Sequence, residues 1–189
     1  MATVLQKFSE QSDASILESA AAFAAAGFGL HWLHKKQKRP IGDDWSKRPV
    51  ATVEQLRTTY RTGNNLGVRL GEFSRVDGGY LHLIDLDIRK PAEGHAAWAT
   101  LKSLLPNVQF EILPSVISGS GGESRHIYFV TDQPFASRKL AKSPGWEMVF
   151  DRSVKRDVKK HHWEIELFGG PKQAVMPPSI HPDTGLPYR

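Results

Sequence analysis

The sequence contains no cysteine among its 189 residues. This absence excludes disulfide bonds and thiolate zinc sites, and it suits a reducing compartment. No apolar run is long enough to cross a bilayer, and residues 1–13 lack the basic-then-apolar plan of a secretion signal. Internal repeats and low-complexity linkers are missing as well. We therefore expect one globular domain in the cytoplasm, with no membrane partner.

Acidic residues are outnumbered by basic ones, giving a net charge of +5 and a pI near 9.5. The basic residues concentrate in KKQKR (35–39) and in DRSVKRDVKKHH (151–162). This imbalance mildly favours a polyanionic partner. The expected contacts to such a partner are Lys35, Lys36, Arg39, Lys155, Arg156, Lys159 and Lys160.

The first half of the chain alternates helix and strand patterns. Capping-box patterns predict helices over about 13–26 and 52–60, and a third helix over 93–105 ends before Pro106. Strands are predicted over 65–70 and 80–88, with a turn-rich connection over 71–79.

The second half reads as short strands separated by turns: FEIL, SVIS, HIYFV, WEMVF, WEIELF and QAVM. This pattern is typical of antiparallel sheets. We predict an α/β (α+β) fold in a single domain over residues 1–189, with an αβ lobe over about 1–90 and a β-rich lobe over about 91–189. The turn-rich C-terminus has no closing helix, which suggests a piece of a longer protein.

Two aspartates interrupt the most apolar strand pattern, LIDLDIRK (83–90). Residues two apart on a strand share a face, so Asp85 and Asp87 are expected to project together. Two close, partly buried carboxylates need a neighbouring cation. A salt bridge from Arg89, from Lys90 or from a basic loop is one interpretation, and a metal site is the other.

A second acidic pair lies in WEIELFGG (163–170), where Glu164 and Glu166 share a strand face. If this strand pairs beside residues 80–88, three or four carboxylates converge. Hard cations such as magnesium prefer that oxygen set, and two such ions serve displacement at phosphorus. The alternative is the polar face of a half-exposed strand.

A glycine-rich turn leads into a strand at ISGSGGESRHIYFV (117–130). Ser124 and His126 share one face at the start of this strand, and Arg125 lies opposite. Backbone N–H groups of such a turn can hold a phosphate. A flexible hairpin followed by a core strand is the simpler interpretation.

Together these segments resemble the archaeo-eukaryotic primase superfamily, and more closely its bifunctional primase–polymerase branch from plasmids, phages and mobile elements. The family pattern is an acidic-x-acidic strand, a Ser-x-His strand and a later acid, matched here by D-L-D, S-R-H and E-L-F-G-G. KRPIGDDW (38–45), NNLGVRLG (64–71) and AVMPPSIHPDTGLPY (174–188) are similar to further family segments.

The resemblance implies a template-directed nucleotidyltransferase, a DNA primase and polymerase. Asp85, Asp87 and Glu166 would be catalytic and hold two magnesium or manganese ions. His126 and Ser124 would bind the triphosphate of an incoming NTP or dNTP, while Arg125, Lys38 and Ser179 would contact phosphate or template. Two assignments stay open: Ser118 or Ser120 could replace Ser124, and Glu164 could replace Glu166.

The resemblance also implies partners and a lobe architecture. The substrates would be a single-stranded DNA template and primer, with a helicase or a helical C-terminal domain as a companion in a longer replication protein. The β-rich lobe would resemble an RNA recognition motif. No zinc is expected, since the zinc-binding insertion of some relatives has no counterpart here.

Two other functions fit part of the sequence. A non-catalytic single-stranded nucleic-acid-binding module would use the basic clusters with Tyr128 and Phe129 as stacking surfaces. A metal-dependent replication-initiator nuclease would use the carboxylates with His161 and His162, although adjacent histidines on a strand point to opposite faces.

Overall fold

The computed structural model describes residues 15–151 and 154–189. The helices in these ranges are α1 (Ile16–Ala25), α2 (Val53–Thr59) and α3 (Gly94–Leu104), with short 3-10 helices at Pro91–Glu93 and Phe110–Ile112. The strands are β1 (Gly29–Leu33), β2 (Asn65–Arg69), β3 (Gly71–Val76), β4 (Gly79–Ile88), β5 (Ser115–Ile117), β6 (Arg125–Thr131), β7 (Arg138–Lys142), β8 (Trp146–Asp151), β9 (Arg156–His161), β10 (Trp163–Phe168) and β11 (Gln173–Met176).

Both capping boxes form as the sequence predicts. Ser15 Oγ accepts from the Glu18 N–H while the Glu18 carboxylate accepts from the Ser15 N–H, at 3.2 and 3.0 Å. Thr52 and Gln55 exchange the equivalent pair of bonds at the start of α2. These reciprocal bonds satisfy N–H groups that a helix start otherwise leaves unpaired. Asp13, in the predicted start of α1, lies outside the described residues.

The strands form antiparallel sheets around β4. The largest sheet has the order β5-β6-β4-β10-β7, and β3 pairs with part of β4. A second sheet has the order β1-β2-β11, and β8 pairs with β9 in a two-stranded hairpin. The predicted mixed α/β class with an antiparallel second half is therefore confirmed.

The sheets do not divide at residue 90, where the sequence suggested a lobe boundary. β4, from the first half, is central in the sheet made of second-half strands, and β11 returns to pair with β2. The hydrogen bonds that define a sheet join strands far apart in the chain, so a boundary drawn along the sequence does not reproduce them.

Local structure departs from the prediction at four segments. FEIL forms a 3-10 helix rather than a strand, whereas β3, β7 and β9 lie where the sequence indicated turns or loops. β7 (RKLAK) and β9 (RDVKKH) carry few of the β-branched and aromatic residues that mark strands. Pairing with β10 and β8 supplies the hydrogen bonds that hold them extended.

β4 is buried on both faces for most of its length. Leu81 and Leu83 are 0 % exposed and pack with α1, β1 and β2, while Ile84, Leu86 and Ile88 pack with α3 on the other face. Each such side chain contributes roughly 1.5–3 kcal/mol through burial. β4 is therefore a rigid mount for any side chain at its end.

No helix within residues 15–151 and 154–189 is both long and apolar enough to span a membrane.

Candidate active site

A row of polar side chains crosses the central sheet at the end of β4. Asp85 lies directly opposite His126 of β6 on one side and Glu166 of β10 on the other. Asp87 lies opposite Glu164. Directly opposed residues share a sheet face, with Cβ atoms about 4.5–5.5 Å apart. The three motifs that are far apart in the sequence thus meet on one face.

On this face of β4, the side chains change from buried and apolar to acidic and partly exposed. Leu81 and Leu83 precede Asp85 on the same face and are fully buried. The side chain of Asp85 is 26 % exposed and that of Asp87 is 35 % exposed. The carboxylates therefore lie at the rim of the core, with access from solvent.

The environment of Asp85 disfavours its charged form. Burial raises the pKa of the Asp85 carboxyl to about 7, and repulsion from Asp87 and Glu166 adds to this increase. Attraction from Lys38 and Lys172 opposes it only in part. The nearby lysines thus do not compensate for the burial of the Asp85 charge.

Basic side chains pair with the other carboxylates. Arg89 forms ion pairs with Asp87 and with Glu164, the latter at 3.0 Å, and Lys139 reaches Glu164 at 3.0 Å. Arg89 and Lys139 together lower the pKa of Glu164 despite its partial burial. The salt-bridge interpretation of the two aspartates is therefore correct for Asp87.

Glu166 pairs with Lys172, which follows the turn after β10. It also lies in the row with Asp85 and His126, whereas Glu164 is held by two basic side chains. Glu166 is therefore the better third acid. No sequence motif singles out Lys172 or Lys139. The turn GGP between Glu166 and Lys172 is the sequence feature that could have indicated a contact between these two residues, because a turn folds the chain back toward β10.

The carboxylate oxygens of this row are of the type that hard divalent ions prefer. Among the described residues, no three acidic or histidine side chains are grouped closely enough to hold a metal ion, since Asp87 and Glu166 are turned to Arg89 and Lys172. Their oxygens are nevertheless the ligands that magnesium and manganese prefer, and they share one sheet face with Asp85.

His126 is a buried, neutral neighbour of Asp85. Its side chain is 12 % exposed, and Nε2 lies 3.7 Å from the Asp85 Oδ1. Burial lowers the pKa of His126 to about 4, helped by the positive charge of Lys38 and opposed by a hydrogen bond to the Val175 backbone. Nδ1 is buried and has no hydrogen-bond partner among the described residues.

Both predicted serines are committed to the backbone. Ser124 Oγ accepts from the Ile88 N–H at 2.8 Å and donates to the Ile88 carbonyl at 3.1 Å. Ser179 Oγ makes the same two bonds to Leu66, at 2.8 and 3.3 Å. They position β2, β4 and their neighbours. The nucleotide-binding role of these two serines stays a prediction.

The glycine-rich turn before β6 is held by the C-terminal segment. The Ile117 N–H donates to the Arg189 carbonyl at 2.6 Å, and a Cβ on Gly119 would lie 2.4 Å from the Leu186 carbonyl oxygen. Ser118 bonds to the Tyr188 side chain, and Ser120 is exposed. Neither alternative serine lies in the Asp85 row.

Of the remaining predicted phosphate contacts, Lys38 lies near the site and Arg125 does not. Lys38 is exposed, and its charge acts on Asp85, His126 and His181. The Arg125 guanidinium lies over the Trp98 ring of α3, 5.2 Å from its centroid, on the opposite sheet face. The Arg125 side chain is thus turned away from the Asp85 row, and its nucleotide-binding role stays a prediction.

The predicted nucleic-acid contacts form two exposed groups. Lys35, Lys36 and Arg39 lie in the loop after β1, and Lys155, Arg156, Lys159 and Lys160 lie on or beside β9.

The side chains that suggested the two alternative functions are engaged elsewhere. Tyr128 is 0 % exposed and donates to the Met176 sulfur at 3.4 Å, so it is not a stacking surface. Phe129 is half-buried against His82 and Phe135. His161 contacts the Ser143 carbonyl and His162 contacts Glu93, away from the carboxylate row.

A sequence model of the family described as bifunctional DNA primase/polymerase, N-terminal, matches residues 20–189. The match covers most of the chain, and the chain belongs to this family. The resemblance drawn from the sequence motifs is thereby confirmed. No curated protein and no solved structure matches the chain.

Proposed function

We propose that this domain adds nucleotides to a primer on a single-stranded DNA template, with Asp85, Asp87 and Glu166 as its catalytic carboxylates. The observation that carries the proposal is the single row formed by Glu166, Asp85 and His126 across three strands. Membership of the primase/polymerase family supports the reaction class. The likeness of the β-rich part to an RNA recognition motif, and a cellular setting in the replication of a mobile element, belong to the same proposal.

The proposed reaction joins a primer 3′-oxygen to the α-phosphorus of a nucleoside triphosphate and breaks the bond from that phosphorus to the bridging β-phosphate oxygen. The primer hydroxyl loses its proton, and pyrophosphate leaves. Two divalent ions would stabilise the attacking and leaving oxygens. The three carboxylates would hold these ions on the rigid end of β4.

The other residues of the site would bind the triphosphate. His126 is neutral at physiological pH, because burial lowers its pKa to about 4, so it can donate one hydrogen bond without adding charge. Lys38 is exposed beside it and can approach a phosphate as a cation. Lys172, which pairs with Glu166, would be able to contact a phosphate if Glu166 held a metal ion.

Primer extension with magnesium or manganese tests the proposal. Asp85→Asn, Asp87→Asn and Glu166→Gln should each reduce extension by at least about 100-fold, the size typical of losing a group that stabilises transition-state charge. Glu111→Gln is a matched control, because Glu111 is an exposed acid that pairs with Lys102 of α3 outside the carboxylate row. Folded variants that extend a primer as well as the wild type would refute the assignment.

A further inference from the structure

The β8–β9 hairpin exposes a row of large apolar side chains. Trp146, Met148 and Phe150 are 50, 57 and 60 % exposed. They occupy alternate positions of β8 and therefore share one face, spaced by about 6.8 Å along the strand. Contiguous exposed apolar groups of this size mark an interaction surface.

Positive charge borders this row. Lys159 lies opposite Met148, and its Nζ is 4.3 Å from the centroid of the Trp146 ring. Lys155 and Arg156 are exposed at the far end of the hairpin. Within residues 15–151 and 154–189, none of these three cations has an ion pair, whereas Lys160 pairs with Asp151 at 3.6 Å. Lys159 thus lies on the aromatic face and Lys155 and Arg156 lie near its end, while Asp157, opposite Phe150, adds one acidic residue to that face.

The hairpin begins at the carboxylate row. Arg89, which pairs with Asp87 and Glu164, also donates to the His161 carbonyl at 2.8 Å. Lys90 pairs with Glu147 of β8 at 2.9 Å. The chain then passes from β9 directly into β10, which carries Glu166. An extended ligand chain bound along the hairpin would therefore lead to the proposed catalytic carboxylates.

We propose that this hairpin face binds single-stranded nucleic acid, with bases stacked on Trp146 and Phe150 and phosphates held by Lys155, Arg156 and Lys159. Aromatic rings interleaved with cations fit a strand that offers flat bases and a charged backbone. The centre of a protein–protein interface is usually depleted of charged residues, which argues against a protein occupant. The assignment of the bound nucleic acid as the template rests on the proposed function. The binding of single-stranded nucleic acid to the hairpin does not.

Binding of a fluorescent oligo(dT) in EDTA, followed by anisotropy, tests the hairpin without the metal site. Trp146→Ala and Phe150→Ala should each weaken binding by about fivefold or more. Lys155→Ala or Arg156→Ala should reduce the slope of log affinity against log salt by about 0.7 for each phosphate that is no longer neutralised. Ile112→Ala is a matched control, because Ile112 is an apolar side chain that is 71 % exposed outside the hairpin. Arg57→Ala, an exposed cation of α2, is the control for charge.

An oligonucleotide without bases supplies the second arm. Wild type and Trp146→Ala should bind it equally, because stacking needs a base. Unchanged oligo(dT) affinity in both aromatic variants would overturn the proposal. So would a wild-type dimer that Trp146→Ala/Phe150→Ala converts to monomer without affecting oligo(dT) binding, since the face would then be a self-association surface. Hairpin-dependent binding without any primer extension would support this inference while refuting the polymerase proposal.

Discussion

Replacing Asp85 by Asn should stabilise the metal-free protein while abolishing nucleotide addition. The carboxyl is 26 % exposed, lies opposite Glu166 and is two residues from Asp87 on the same face. Asn has nearly the same shape and no charge. The substitution therefore removes repulsion without leaving a cavity.

The magnitude follows from the register of the sheet. Opposed side chains are about 5 Å apart, and residues two apart on a strand about 6.8 Å. Coulomb repulsion at 5 Å is about 0.8 kcal/mol at the dielectric constant of water and about 3 kcal/mol at an effective value of 20. Attraction from Lys38 and Lys172 cancels part of the sum. A net gain of about 1–3 kcal/mol remains, which raises the Tm of a domain of this size by about 2–4 °C per kcal/mol.

Thermal unfolding at pH 8, first in EDTA and then with magnesium or manganese, measures both parts of this prediction. The wild type should gain about 2.7 kcal/mol at a metal concentration 100 times Kd, and Asp85→Asn should lose most of that gain. Asp132→Asn is the matched control, because Asp132 lies exposed in the turn after β6. A metal-free Asp85→Asn protein that is less stable than the wild type, with an unchanged response to metal, would refute the reasoning.

Two further predictions concern stability. Burial, with repulsion from Arg69, lowers the pKa of His31 from 6.5 to about 4, so below pH 6.5 the unfolded chain binds a proton that the folded protein excludes. Urea unfolding should therefore show that His31 accounts for about 2 kcal/mol of the stability lost between pH 7 and pH 5. A His31→Gln variant with the same pH dependence as the wild type would contradict this prediction. Ser179→Ala should lower the free energy of unfolding by about 1–3 kcal/mol, because it removes the hydroxyl that bonds to the Leu66 N–H and carbonyl. Ser103→Ala, at an exposed position of α3, is the control. Equal urea midpoints for the two variants would contradict the role of Ser179.

The sequence predicts the local structure best where the signal is local. The capping boxes at Ser15 and Thr52 form as expected. β4 extends over Gly79–Ile88 against a prediction of 80–88, because a strand buried on both faces for most of its length has a nearly continuous apolar sequence. The lysine-rich β7 and β9 are missed, since partner strands rather than their own composition hold them extended.

The sequence predicts which residues make up the proposed site, but it does not predict how those residues contact one another. Asp85, His126 and Glu166 follow from motifs, whereas their common row depends on strand register, which a single sequence does not contain. The hydroxyls of Ser124 and Ser179 bond to backbone 36 and 113 residues away. Arg125 lies on the opposite face for a reason that is visible in the sequence, because it alternates with Ser124 and His126.

The salt-bridge and metal interpretations of the two aspartates apply to different residues. Arg89 pairs with Asp87, so a salt-bridged strand end explains that residue. Among the described residues, no lysine or arginine nitrogen lies within 4.0 Å of the Asp85 carboxyl, and its nearest basic group is the neutral His126. A half-buried carboxyl with this environment costs stability, and such costs concentrate at functional sites. The fold alone thus gives no physical reason for a carboxylate at Asp85. A bound ligand that carries positive charge would supply such a reason.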